Sequence, residues 1–237
     1  LKKPEGNQKM NEFQISQYDF SELFWRRIFY GSRDVMFRQV ELQRALLQQD
    51  NLRPKADYNT GSINFNGAWS LYSIVSYFLP KNVAEIGTFI GKSTISMALA
   101  LDNASRPGKI QTCDMSNGFD LNWEGETDIV QNFKTKSTDM LLKIDTPQDL
   151  LFVDGRLSNE DISILQTPNY SSCVFIFDDT EGVEKGFVNQ FHLNQKLTER
   201  FFIYPPSSEV LKQQNLYGNC NVSLSIPMSI LKFVRQG

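Results

Sequence analysis

Four short apolar runs in this chain each carry a carboxylate at or near their end: 83–86 with Glu85, 109–114 with Asp114, 149–154 with Asp154, and 173–179 with Asp178 and Asp179. Stretches of helical spacing follow three of them, over about 93–101, 159–165 and 181–197. Near-continuous apolar strands alternating with helices read as βα units, which build a mostly parallel sheet covered on both faces. The predicted fold is an α/β, Rossmann-like, doubly wound sheet of seven mostly parallel strands, with an N-terminal helical extension. A sixth strand is expected at 201–204, stopped by Pro205-Pro206, and a closing strand or pair of strands at 222–226 and 230–234. Residues 115–135 are polar, with Gly118, Trp123 and Gly125, and read as loop plus a short helix around Ile129 and Phe133. The third strand has no clear place in the sequence, and 137–144 reads as a short helix.

Residues 21–50 are helical in pattern with a break at Gly31-Ser32, and Trp25, Ile28 and Phe29 form one apolar face. The expected division is 1–57 as the helical extension and 58–237 as the Rossmann-like domain. Those aromatics can pack on the main domain, form a substrate lid, or make a homodimer seam. A helix over 68–79 closes at Pro80, just before the first apolar run.

Composition narrows the partners. The net charge is −3 and no long basic run appears, so nucleic acid is not the expected partner. No apolar stretch approaches the roughly 20 residues of a membrane span. The chain opens on Leu1 rather than Met, which leaves room for an upstream segment. Cys113, Cys173 and Cys220 lie far apart without metal-ligand spacing, and Cys113 and Cys173 stand in apolar strand-like runs, which predicts buried free thiols and a cytoplasmic location.

The stretch 82–95 is strand, glycine turn and helix start, and it admits three readings. Gly91-Lys92-Ser93 suggests a phosphate loop, but that motif needs glycine at 86, where Ile86 stands. A dinucleotide fingerprint needs a second glycine that Thr88-Phe89-Ile90 does not supply. The third reading, acid-x-Gly-x-x-x-Gly, fits Glu85-Ile86-Gly87-Thr88-Phe89-Ile90-Gly91. Asp114 follows Gly91 at close to the roughly 20-residue offset expected of a ribose-binding acid.

With Asp149 to Gly155 and Ile176 to Val183 downstream, these segments resemble the class I S-adenosylmethionine-dependent methyltransferases, in particular small-molecule O-methyltransferases of the catechol and macrocin types. The resemblance covers roughly residues 58–195. It implies S-adenosylmethionine as cofactor, with Glu85, Gly87, Thr88, Gly91 and Ser93 on its methionine side. Asp114 would hold the ribose, Met115 and Ser137 the adenine, and Asp154 the region of the sulfonium. It further implies catalytic roles for Asp154 and Asp178, and a divalent ion, Mg²⁺ or else Mn²⁺ or Ca²⁺, on Asp154, Asp178 and Asp179. Oxygen ligands of this kind suit such ions. An ordinary alternative is that Asp178 or Asp179 caps the helix beginning near Glu181.

The chain departs from the pattern where relatives place a His or Lys base, because Gly155, Arg156 and Leu157 stand after Asp154. Arg156 cannot act as a base and could instead clamp an anionic group. His192, the single histidine, and Lys185 are weaker candidates. The expected function is methyl transfer to a small-molecule hydroxyl, and the alternative is a cofactor-binding scaffold without catalysis.

Overall fold

The computed structural model describes residues 16–31, 34–55, 61–116 and 120–234. Three helices come first: α1 (Gln17–Tyr30), α2 (Val35–Asp50) and α3 (Phe65–Phe78). The βα series follows as β1 (Asn82–Ile86), α4 (Lys92–Asn103), β2 (Lys109–Asp114), β3 (Asp128–Phe133), α5 (Ser137–Lys143), β4 (Leu150–Val153), α6 (Asn159–Ile164), β5 (Val174–Phe177) and α7 (Lys185–Lys196). The chain closes with β6 (Arg200–Ile203), α8 (Ser208–Lys212), β7 (Ser223–Pro227) and α9 (Met228–Val234).

The strands form one sheet in the order β3-β2-β1-β4-β5-β7-β6. All pairs are parallel except those of β7, which runs antiparallel to β5 and β6. The expected sheet is therefore present. Two local expectations are corrected. Residues 128–133 are strand rather than short helix, an edge strand that is half-buried along most of its length. Residues 228–234 are helix rather than a closing strand.

Alternation along the central strands divides the core. Leu150, Phe152, Val174 and Ile176 point to one face, while Leu151, Val153, Phe175 and Phe177 point to the other. The first face is covered by the N-terminal helices and α4, including Phe24, Trp25, Trp69 and Met97. The second is covered by α5, α6 and α7, through Met140, Ile162 and Leu193. Fully burying a large apolar side chain contributes about 1.5–3 kcal/mol, so each face is a substantial source of stability.

The N-terminal aromatics pack into this core. Trp25 is fully buried, and its indole N–H donates to the Tyr204 carbonyl at 2.6 Å. The Tyr204 N–H donates to Ser21 Oγ, and Glu22 accepts from both the N–H and the hydroxyl of Ser207. One end of the sheet is thereby tied to α1.

Candidate functional site

Strand order reverses between β1 and β4, and in open α/β sheets ligands bind in the crevice outside the carboxyl ends of the strands at that point. Hydrogen bonds tie the loops there together: the Gly87 N–H donates to the Cys113 carbonyl at 3.0 Å, and the Asp154 N–H to the Ile86 carbonyl at 2.9 Å. Gly87 has φ +101°, and a Cβ on it would come within 3.2 Å of the Asp154 backbone. Only glycine meets both demands without strain. Gly91, φ +77°, caps α4, and a side chain there would overlap Leu121.

A cavity of about 320 Å³ opens at this crevice. Gly87 and Phe89 from the first loop, Asp114 and Met115 from the end of β2, Ser137 at the start of α5, and Asp154, Arg156 and Lys185 line it. Of the cofactor-binding residues expected from the sequence, Gly87, Asp114, Met115, Ser137 and Asp154 are thus brought together. Asp114 also fastens the loop, accepting from the Phe89 N–H at 2.7 Å and the Ser116 N–H at 2.8 Å. Ser137 donates to the buried carboxylate of Asp161 at 2.9 Å.

Glu85, Thr88, Gly91 and Ser93 stand off the cavity wall. Glu85 shares the face of Val83, the face that α4 covers, because side chains along a strand alternate with period two. It is fully buried and accepts from Ser93 Oγ and Thr94 Oγ1, both at 2.5 Å. Burial pushes its carboxyl up to about 7 against the pull of these hydroxyls. Thr88 bonds the Thr112 hydroxyl. These residues hold the loop and α4 in place from behind.

The other side of the cleft is built differently. Lys185, the first residue of α7, places its ammonium 2.7 Å from Asp154 and 3.0 Å from Asp179. Burial pushes Asp154 up to about 6 while Lys185 opposes the shift. Burial works against the Lys185 charge, but Asp154 and Asp179 outweigh it and the net shift is upward. Asp178 is buried off the cavity wall and accepts the Asp179 N–H at 2.9 Å; burial first, then the Asp154 charge, pushes it up to about 7. Neither Asp178 nor Asp179 caps α7, whose N-cap is Glu184.

The residues expected to hold a divalent ion do not fit one. Among the described residues no three Asp, Glu, His or Cys side chains converge as a metal group. An ammonium already bridges two of the three acids. His192 is exposed and lines a different surface hollow with Asn159 and Gln195. Lys185 is the site residue that sequence reasoning set aside. A signal for it existed: a cation at a helix start, just beyond a pair of acids, is placed against the helix dipole and calls for a reason.

The donor set suits S-adenosylmethionine. A carboxylate at the end of β2 can accept ribose hydroxyls, Met115 offers an apolar wall, and Asp154 offers an acid to a cationic ligand. Residues 84–180 match the family model of a methyltransferase domain. No curated protein matches the chain. Among solved structures, the chain is similar to the SAH-bound methyltransferase PaMTH1 of Podospora anserina, at TM-score 0.51 and 11% identity, over 92% of this chain and 99% of that one. It is also similar to the O-methyltransferase TomG of Streptomyces achromogenes, solved with SAM, at TM-score 0.48 and 14% identity over 90% and 99% of the two chains. An O-methyltransferase of Bacillus cereus in complex with SAH gives TM-score 0.49 and 14% identity over 89% and 98%. At such identities the likeness is one of fold. Residues 84–180, from within β1 to the loop after β5, thus resemble a methyltransferase domain, and the chain shares the fold of the PaMTH1 methyltransferase.

Proposed function

We propose that this protein transfers the methyl group of S-adenosylmethionine to a hydroxyl oxygen of a small molecule. One observation carries the proposal: a single cavity at the strand-order reversal joins the Gly87 turn and Asp114 to Asp154. Gly87 lets the ligand approach the backbone, Asp114 takes the ribose hydroxyls, and Met115 covers the base. When bound there, the donor offers an electrophilic methyl carbon to the acceptor oxygen, and its sulfur keeps the electron pair of the broken C–S bond. Asp154, on the cavity wall, takes the hydroxyl proton and passes it to solvent. Asp178 is a positioning residue, holding the Asp179 backbone. No step uses a divalent ion.

Calorimetric titration of the protein with S-adenosylmethionine, followed by incubation with a panel of hydroxylated small molecules and the isotopically labelled donor, tests this. Saturable one-to-one binding and label in an O-methylated product are expected. Absence of binding would sink the proposal, and binding without transfer to any acceptor would favour a scaffold. The three buried free cysteines support a reducing, cytoplasmic setting. Exposed Met36, Phe37, Val40 and Leu47 on α2 support pairing of two copies through the N-terminal helices, which light scattering would reveal as a doubled mass.

A further inference from the structure

Helix starts carry partial positive charge from unpaired backbone N–H groups, and acids rather than lysines are favoured there. Lys185 nonetheless opens α7, and the fold takes several measures to hold it. Asp179 adopts φ +51°, a left-handed conformation that aspartate tolerates better than most residues. The Gly186 N–H donates to the Asp179 carbonyl at 3.1 Å, and a side chain at 186 would overlap the Asp178 carbonyl oxygen. The first turn of α7 is thus pressed onto the loop after β5. Asn189, one turn further, stitches the same helix to the loop after β4. Its amide donates to the Gly155 carbonyl at 2.7 Å and its oxygen accepts the Leu157 N–H at 3.0 Å. Both loops are therefore fixed relative to Lys185, whose side chain bridges Asp154 and Asp179 and lines the cavity beside Arg156.

We propose that Lys185 is the resident cation of this cleft, standing where the family resemblance calls for a divalent ion, and that its ammonium binds the acceptor oxygen. This rests on the methyl-transfer reading for the acceptor contact alone. The ammonium fills the space between the two carboxylates that a divalent ion would need, and it has a third N–H beyond those two partners at the cavity wall. Lys185 gives up no proton. It stabilises the negative charge gathering on the acceptor oxygen as that oxygen's proton passes to Asp154 and its bond to the methyl carbon forms. A fixed donor of this kind acts on charge that develops in the transition state.

The first test needs no acceptor. Chelator-treated full-length protein is titrated with Mn²⁺, and the free ion is followed by its paramagnetic resonance signal. An undiminished signal is expected at micromolar ion and protein. One Mn²⁺ bound per chain, and lost in Asp179→Asn, would overturn the proposal whether or not methyl transfer is observed. The second test uses any acceptor that is turned over. Lys185→Met is expected to lower kcat about 100-fold, the scale of losing one such donor. Donor affinity should stay within about threefold, and added Mg²⁺ should not rescue the rate. Should that variant fail to fold, Lys185→Arg keeps the charge with a different fork of donors and should show a smaller loss of kcat at unchanged melting temperature. Full activity in either variant, or rescue by Mg²⁺, would overturn the proposal.

Discussion

In the β1–β2 half of the cleft, the acids are held by neutral donors: hydroxyls of Ser93 and Thr94 on Glu85, backbone N–H groups of Phe89 and Ser116 on Asp114. In the β4–β5 half, Asp154 and Asp179 are held by the ammonium of Lys185. Backbone donors fix Asp114 at the cavity wall without cancelling its charge, which suits a half that would attract a cationic ligand and accept from hydroxyls, while Glu85 stays buried behind the loop. An ion pair fixes the carboxylates and cancels much of the charge, which suits a half where a proton leaves and negative charge gathers. Identical residue types at equivalent strand ends thus do different work according to what satisfies them.

That contrast can be broken experimentally. The largest effect is expected from Gly87→Val, because a branched side chain at φ +101° is strained and would crowd the Asp154 backbone. Titration should show S-adenosylmethionine binding weakened more than about 100-fold, with a lowered melting temperature. Binding within threefold of the parent would mean that the turn does not need glycine. Next comes Glu85→Gln. Because burial raises the Glu85 carboxyl from 4.5 to about 7, the folded protein holds a proton that the unfolded chain releases, so the stability it contributes is complete below 4.5 and lost as pH rises to about 7. The loss is on the order of 3 kcal/mol. Urea unfolding at pH 5 and pH 8 should show the parent losing more stability than the variant by roughly that amount, and equal losses would disprove the buried-acid account.

The two halves should then separate in kinetics. Asp154→Asn is expected to cut kcat about 100-fold, within the range of lost acid–base catalysis, with a smaller loss of donor affinity. Asp114→Ala should do the reverse, weakening donor binding about tenfold, as removal of a hydrogen-bonded charged partner does, with kcat at saturation nearly kept. If both variants shift both constants alike, the division into donor and acceptor halves is wrong.

Much of this could be read from the chain alone. Strands β1, β2, β4 and β5 are buried on both faces, so they appear as compact apolar runs, and the acids that end them mark the functional edge. β3 escaped because it has a neighbour on one side only: Asp128, Gln131 and Asn132 interrupt its apolar residues. The 228–234 segment escaped because a short apolar stretch does not distinguish strand from helix. Within the site, the position of Glu85 was legible in principle, since it shares parity with Val83. Lys185 was not, because its partnership with Asp154 joins residues from different βα units and depends on how Gly186 and Asn189 seat α7. Contacts between units have no signature in spacing.

The bond from Trp25 to Tyr204 spans 179 residues of sequence. Its counterparts at Ser21 and Glu22 span 183 and 185. Helix α1 is made well before its docking partners, which lie at and just after β6. Phe24 of α1 can pack early against Phe78 of α3, whereas Phe20 and the Trp25 N–H gain their partners Phe201 and Tyr204 only once β6 has been made. In pulsed hydrogen exchange during refolding, the amides of α1 should gain protection together with those of β6 and later than those of β1 and α4. That result would set folding order against synthesis order at this end of the molecule.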